Sequence, residues 1–259
     1  MTHVVLTIAG SDPSGGAGLQ ADLKTFHQHG VYGMSVVTLL TVQNTQSVEA
    51  VEVLAAEFVA RQLDAVISDI PPQAAKTGAL GNAAVVETIA AHAADFPFPL
   101  VVDPVMISKH NAALIDDDAV ELLKTKLLPN TFLVTPNLPE AARLSELEVK
   151  DPASMKDAAR AISQLGARNV LIKGGHLDGE PIDVLWADGE WHQFTSERAN
   201  TQHTHGTGCV LSAAITARLA KGADIISAVK GAKKFVSQAI QTNPGLGHGC
   251  GPLNLFTQS

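Results

Sequence analysis

The sequence predicts an α/β protein built in three layers, helices on both faces of a central, mostly parallel sheet. Short β-branched runs alternate with longer helix-like segments along the chain, and such alternation implies right-handed crossovers. The strand-like runs are near-continuous in apolar residues, as parallel strands covered on both faces must be. Composition agrees: 259 residues, 46% hydrophobic and 17% charged, can bury a sizeable core and are not disordered.

The elements follow in order. Val4–Ala9 reads as the first strand. The opening Met1-Thr-His-Val-Val-Leu-Thr-Ile-Ala lacks a basic region and its apolar run ends at Gly10, so it is a buried strand rather than a signal peptide. Ala17–His29 is a helix and Met34–Thr41 a strand. The longest apolar stretch, Val31 to Val42, is broken by Gly33, Ser35 and Thr38 and falls short of the roughly 18–20 residues a membrane span needs. Helices Ala55–Ile70, Ala83–Ala93 and Asp116–Leu127 come next, with strands Leu100–Asp103 and Phe132–Thr135 among them. In Ser154–Leu165, residues Met155, Ala158, Ala159, Ile162 and Leu165 repeat at helical spacing after the turn-forming Asp151-Pro152. Val170–Lys173 is again a strand. Asp183–Ala187 and Glu190–Thr195 flank Asp188-Gly189, a hairpin signal. Helices Thr207–Ala220 and Ile225–Thr242 and a glycine-rich tail, Pro244–Gly251, complete the chain. No linker or repeat divides it, so residues 1–259 are expected to form a single domain.

With 18 basic and 26 acidic residues the formal charge is −8, which argues against a nucleic-acid or anionic-membrane surface. Two cysteines cannot form a disulfide framework, which points to a reducing compartment and a cytoplasmic location.

In such sheets ligands bind beyond the carboxyl ends of the strands, and four loops there carry chemistry. Gly10-Ser-Asp-Pro-Ser-Gly-Gly-Ala-Gly18 leads into a helix with Asp22 and Lys24; its glycines permit close backbone approach and the helix N-terminus favours anions. Neither a dinucleotide fingerprint nor a Gly-Lys-Ser/Thr triplet occurs, and a plain strand-to-helix turn explains the loop equally well. Gln43-Asn44-Thr45 closes a buried strand. These amides can merely form a turn, or Gln43 can match an aminopyrimidine edge bidentately. Asp103-Pro-Val-Met106 and Thr135-Pro-Asn-Leu-Pro-Glu140 place Asp103, Asn137 and Glu140 after strands. These are oxygen ligands suited to Mg²⁺, while Asn137 and Glu140 equally have the spacing of a capping box.

His203-Thr-His-Gly-Thr-Gly-Cys209 is the most informative segment. Free N–H groups from Gly206 through Thr207 and Gly208 to Cys209 would form an anion hole at a helix start. That position is expected to lower the Cys209 thiol pKa and make it a base or nucleophile. The two histidines give only a weak zinc signal, and Cys209 and Cys250 are expected to be free thiols. Lys173, ahead of Gly174-Gly175-His176, suits a phosphate, and Lys76 before Thr77-Gly78 has a similar position. Lys233-Lys234, in mid-helix, reads as a solvated face.

The segments Gly10–Lys24, Gln43–Thr45, Lys76–Gly78, Asp103–Met106, Thr135–Ala141, Lys173–His176 and His203–Cys209 occur in this order. Together they resemble the bacterial hydroxymethylpyrimidine/phosphomethylpyrimidine kinases of thiamine biosynthesis, within the ribokinase-like superfamily. The resemblance runs from about residue 4 to the Gly-His-Gly-x-Gly-Pro tail. It implies a ribokinase-like fold without a separate lid domain, commonly dimeric. It also implies an ATP- and Mg²⁺-dependent kinase that phosphorylates 4-amino-5-hydroxymethyl-2-methylpyrimidine and then its monophosphate. By the same resemblance, Gly10, Ala17, Asp22, Gln43 and Val105 would line the pyrimidine pocket. Gly206, Thr207 and Gly208 would form the anion hole, Cys209 would be the base, and Lys173 and Glu140 would attend the phosphates and metal. One departure is Ala79, where many relatives carry a methionine that packs on the pyrimidine; either the pocket is roomier there or Leu80 fills the space.

Three other readings compete. A pyridoxine/pyridoxal kinase shares the scaffold but typically lacks the Gln43-Asn44 pair. A catalytically silent vitamin-precursor binder would not need Cys209. A covalent thiol enzyme would need His205 beside Cys209 in space, which adjacency in sequence does not supply.

Overall fold

A computed structural model describes residues 2–107, 114–175, 177 and 179–257. Nine strands form one sheet in the order β3-β2-β1-β4-β5-β6-β7-β8-β9. They are β1 (Val4–Ser11), β2 (Tyr32–Gln43), β3 (Val48–Val53), β4 (Ala74–Thr77), β5 (Leu100–Val102), β6 (Leu133–Val134), β7 (Asn169–Ile172), β8 (Ile182–Ala187) and β9 (Glu190–Thr195). From β2 to β7 all neighbours are parallel. Antiparallel pairing is confined to β3 at one edge and to β8 and β9 at the other.

The helices are α1 (Gly18–Gln28), α2 (Ala56–Asp69), α3 (Ala83–Ala93), α4 (Asp117–Leu122), α5 (Leu138–Ser145), α6 (Pro152–Gln164), α7 (Thr207–Ala220) and α8 (Ile225–Gln241). Side chains alternate across a strand, and the alternation divides the core in two. Leu6, Ile8, Leu100, Val102, Val134, Val170 and Ile172 pack with residues of α2 to α6 on one face. Val101, Leu133, Leu171 and Leu185 pack under α7 and α8 on the other, with Ala21 of α1. Each such fully buried large apolar side chain contributes roughly 1.5–3 kcal/mol. The expected three layers are therefore present, and every strand among the described residues belongs to this one sheet. Among the described residues no helix is long and apolar enough to cross a membrane.

Three elements go beyond the sequence reading. The edge strand β3 is half-exposed and interrupted by Glu49 and Glu52, so it lacks an apolar run. The four residues of β4 include Lys76, wholly buried. The short helix α5 starts at the capping box weighed above: Asn137 Oδ1 accepts from Glu140 N at 2.9 Å and Glu140 Oε2 accepts from Asn137 N at 2.8 Å. The segment expected to be one helix over 116–127 starts as α4, capped by Asp116, and then loosens into a π turn at Leu123–Leu127.

Candidate active site

The carboxyl ends of the six parallel strands and the start of α7 enclose a cavity of about 470 Å³. Gly10 lies in β1 with Asp12 just after it, Gln43 ends β2, Gly78, Asp103 and Lys173 directly follow β4, β5 and β7, and Glu140 comes from beyond β6. Of the sequence-predicted residues, Gly10, Ala17, Gln43, Val105, Asp103, Asn137, Glu140, Lys173, Gly206, Thr207, Gly208 and Cys209 all line it. His176, at the end of the Lys173 segment, lies outside the described residues.

Asp22 is the exception. It is wholly buried beneath the cavity, where its Oδ1 lies 2.8 Å from Lys76 Nζ and its Oδ2 accepts from Thr7 Oγ1 at 2.6 Å. Lys76, not Asp22, reaches the lining. A carboxylate on the buried face of α1 reads as a pocket residue in sequence, but its nearest cation sits between it and the cavity. Burial alone would discharge Lys76; the Asp22 carboxylate, with Cys209 and Asp103 nearby, instead raises its pKa.

At the β7 side of the cavity Lys173 Nζ lies 2.8 Å from Asp103 Oδ1 and 4.0 Å from Glu140 Oε2. Although burial opposes its charge, these two carboxylates hold Lys173 protonated. Burial pushes Glu140 up to about 7; Lys173 pulls it down and Asp103 adds repulsion. Two carboxylates against one ammonium leave a deficit of positive charge, and hard oxygens suit Mg²⁺ arriving with phosphates and water. Among the described residues no group of three His, Cys, Asp or Glu could hold a metal ion unaided; Asp103 and Glu140 offer two carboxylates of the donor type a hard cation takes. The amide oxygen of Asn137, which also lines the cavity, accepts from Glu140 N in the helix cap and keeps a second lone pair.

The start of α7 requires glycine. Gly206 has φ +80°, and a Cβ there would lie 1.9 Å from the Gly16 carbonyl oxygen. The first N–H groups of a helix have no intrahelical acceptor, and Gly206, Gly208 and Cys209 line the cavity at this partly positive end; contrary to expectation the Thr207 N–H is already used, donating to Thr204 O at 3.3 Å. Cys209 does not behave as its position suggested. Burial pushes its thiol up to about 12, aided by Asp22 and Asp103 and opposed by Lys76 and the Gly18 N–H. Loss of solvation outweighs the helix terminus, an effect invisible in sequence. Cys209 and Cys250 are both free, as expected.

Other side chains sort between the two readings offered for them. Asn44 forms the plain turn, its Oδ1 accepting from Gln46 N and Ser47 N, while Gln43 faces the cavity. Leu80 is packed in the core and does not fill the space beside Ala79, which lines the cavity. Lys234 is exposed, but Lys233 is not the solvated residue expected: it is buried with Nζ 2.7 Å from Asp183 Oδ2. Asp183 Oδ1 in turn accepts from Gly174 N, next to Lys173, at 2.9 Å.

The sequence reading missed Asp12. Its Oδ2 accepts from Ala17 N at 2.8 Å and lies 2.8 Å from His205 Nε2. The Asp-Pro turn after β1 was the available signal. Burial would raise this carboxyl, but the His205 and Ser14 hydrogen bonds and the His205 charge bring it to about 2. Arg143 lines the cavity without any sequence signal, and Thr204 lines it from within the His203–Cys209 segment without having been singled out.

Comparison with known proteins is consistent with this geometry. The phosphomethylpyrimidine kinase family profile matches residues 12–254. A hydroxymethylpyrimidine/phosphomethylpyrimidine kinase from Haemophilus influenzae is 47% identical over 261 residues, covering 98% of this chain and 97% of that one. A bifunctional thiamine biosynthesis protein of Geobacter sulfurreducens is 49% identical over 252 residues, and the match spans 96% of this chain but only 51% of that longer protein. Among solved structures, a phosphomethylpyrimidine kinase from Clostridium difficile is 43% identical with TM-score 0.83, covering 92% of this chain and 100% of that chain. The Bacillus subtilis pyridoxal kinase in its ADP complex superposes with TM-score 0.90 at 37% identity, over 98% and 97% of the two chains. The three-layer sheet is thus the ribokinase-like fold of these kinases. On a match over residues 12–254, the chain belongs to the phosphomethylpyrimidine kinase family.

Proposed function

We propose that the chain is an ATP- and Mg²⁺-dependent kinase of thiamine biosynthesis. It phosphorylates the hydroxymethyl group of 4-amino-5-hydroxymethyl-2-methylpyrimidine and then converts the monophosphate to the diphosphate. The observation that carries this is one cavity shared by Gln43, Cys209, the α7 N-terminus and Lys173. A reader of an aromatic edge, a proton acceptor and a phosphate-binding end thereby serve a single bound pair of substrates.

Phosphoryl transfer needs positioning and neutralisation of spreading negative charge more than covalent help. The N–H groups of Gly206, Gly208 and Cys209 donate to the transferred phosphoryl oxygens, and Lys173 adds a fixed cation. Asp103 and Glu140 would hold magnesium, which when bound neutralises charge on the polyphosphate. Gly10, Ala17 and Val105 flank the pyrimidine ring, and Gln43 reads its polar edge. Cys209 takes the proton from the hydroxymethyl oxygen. Its high thiol pKa means that only a small thiolate fraction exists at neutral pH, which Lys76 increases.

Pyridoxal phosphorylation is the second reading, favoured by the TM-score of 0.90 to a pyridoxal kinase and by Ala79 at the cavity wall. A covalent thiol enzyme fits less well, because the His205 ring nitrogen is engaged by Asp12 and Gln43. The continuous sheet supports a single working domain, and the family supports a cytoplasmic homodimer acting on small molecules. An ATP-consumption assay offering the pyrimidine alcohol, its monophosphate and pyridoxal in parallel tests the substrate reading. Turnover of both pyrimidines with pyridoxal much slower is expected. Preference for pyridoxal would overturn the substrate, and no turnover with Mg²⁺ present would leave a silent binder.

A further inference from the structure

His205 has no part in the chemistry above, yet it joins three of the loops that form the cavity. Its Nε2 lies 2.8 Å from Asp12 Oδ2 and 3.1 Å from Gln43 Nε2. Its backbone N–H donates to Gly251 O at 3.1 Å, tying in the tail. The imidazole seats against Gly16, where a Cβ would lie 2.6 Å from His205 Cδ2.

Asp12 decides where the ring proton sits. Its carboxylate accepts from Ser14 N at 2.9 Å, Gly16 N at 3.2 Å, Ala17 N at 2.8 Å and Ser14 Oγ at 3.0 Å. A carboxylate so surrounded is ionised and accepts only. The imidazole nitrogen 2.8 Å from it must therefore be an N–H, whether the ring is neutral or cationic. A nitrogen carrying that hydrogen has no lone pair for the Gln43 NH₂ group. Two N–H groups cannot bond each other, and a glutamine amide's oxygen and nitrogen are told apart by their hydrogen bonds, so this contact calls for the flipped amide, with the oxygen in place of Nε2.

We propose that His205, held by Asp12, is a positioning residue that turns the Gln43 amide oxygen toward itself and its NH₂ group into the cavity, so that the site demands a hydrogen-bond acceptor at that point of the ligand. The second lone pair of the amide oxygen stays available to an exocyclic amino group. The ligand class so selected is a heteroaromatic ring with an sp² nitrogen next to an amino-bearing carbon. That identification rests on the pyrimidine reading above; the orientation of the amide does not.

The two parts are separable by experiment. In the full-length, ligand-free chain with ¹⁵N-labelled histidine, the His205 Nε2 resonance, assigned through His205→Gln, is expected to be of the protonated, directly hydrogen-coupled type at neutral pH. An unprotonated Nε2 would overturn the proposal. Calorimetry then compares 4-amino-5-hydroxymethyl-2-methylpyrimidine with its 3-deaza analogue, which lacks only the ring nitrogen. The parent chain is expected to bind the analogue roughly tenfold to a hundredfold more weakly, the cost of an unmet donor. His205→Leu should collapse that ratio, and His205→Gln, which keeps an N–H at similar reach, should retain much of it. A merely structural histidine would weaken both ligands alike, and an unchanged ratio in His205→Leu sinks the positioning role. If the Nε2 signature holds while neither ring binds, the amide orientation stands and the pyrimidine reading falls.

Discussion

Replacing Asp22 by asparagine should be among the most damaging single changes in this protein, although Asp22 touches no cavity. The substitution keeps shape and removes charge from a pair that is 0% exposed on both sides. Removing one partner of such a pair commonly costs about 3–5 kcal/mol, because the other charge is left uncompensated. Lys76 can limit the loss by giving up its proton. Discharging a lysine from its ordinary pKa near 10.4 costs about 5 kcal/mol at pH 7. That sets a ceiling close to the top of the range. The ceiling drops by about 1.4 kcal/mol for each unit of rising pH, since the unfolded chain then binds more protons than the folded one and stability climbs with pH. Denaturant unfolding of parent and Asp22→Asn at pH 7 and pH 9 measures both quantities, and at pH 7 Tm should fall by roughly 10–20 °C. A loss below about 1 kcal/mol at pH 7, or one equal at the two pH values, would refute the reasoning.

The remaining predictions concern the site and its frame. Cys209→Ala should lower kcat by about 10²–10⁴ while calorimetry shows nearly unchanged pyrimidine binding. With the thiol near 12, kcat of the parent should rise with pH between 7 and 9, and the variant should lose that rise. In steady-state assays Gln43→Ala should raise KM for the pyrimidine far more than KM for ATP; equal changes would remove Gln43 from the substrate pocket. Gly206→Ala forces a Cβ into the Gly16 carbonyl at a positive φ. It should cost on the order of 3 kcal/mol in denaturant unfolding and about a hundredfold in turnover as the anion hole shifts. His29, remote from the cavity, is lowered to about 4, chiefly by burial, with Arg218 and Lys221 adding repulsion. Its contribution to stability is complete above pH 6.5 and is lost as pH falls toward 4, amounting to about 3 kcal/mol. His29→Leu should flatten that part of the stability–pH curve.

The sequence by itself determined the alternation of strands and helices, because the apolar period of each long buried element is written locally. It also located the loops of the site, since glycines, prolines and polar residues at strand ends mark turns whatever the surroundings. Helix α3 keeps the predicted boundaries, Ala83–Ala93, and the Asp188-Gly189 hairpin is where its turn residues put it. Elements with weak local signal, β3 and β4, became strands only through neighbours that complete their hydrogen bonds. Charge was the property least legible in sequence, because solvation and pairing depend on what packs around a group. Lys76 and Lys233 look alike as lysines, yet each is buried against a carboxylate more than forty residues away in the chain. Cys209 sits at a helix start that should acidify it, but the packing around it removes enough solvation to raise its pKa instead. Asp12, His205 and Gln43 meet only because β1, β2 and the start of α7 converge at one end of the sheet. Tertiary packing decided which charges survive burial and which donors face the ligand, since desolvation and Coulomb energies depend on distances that no local pattern specifies.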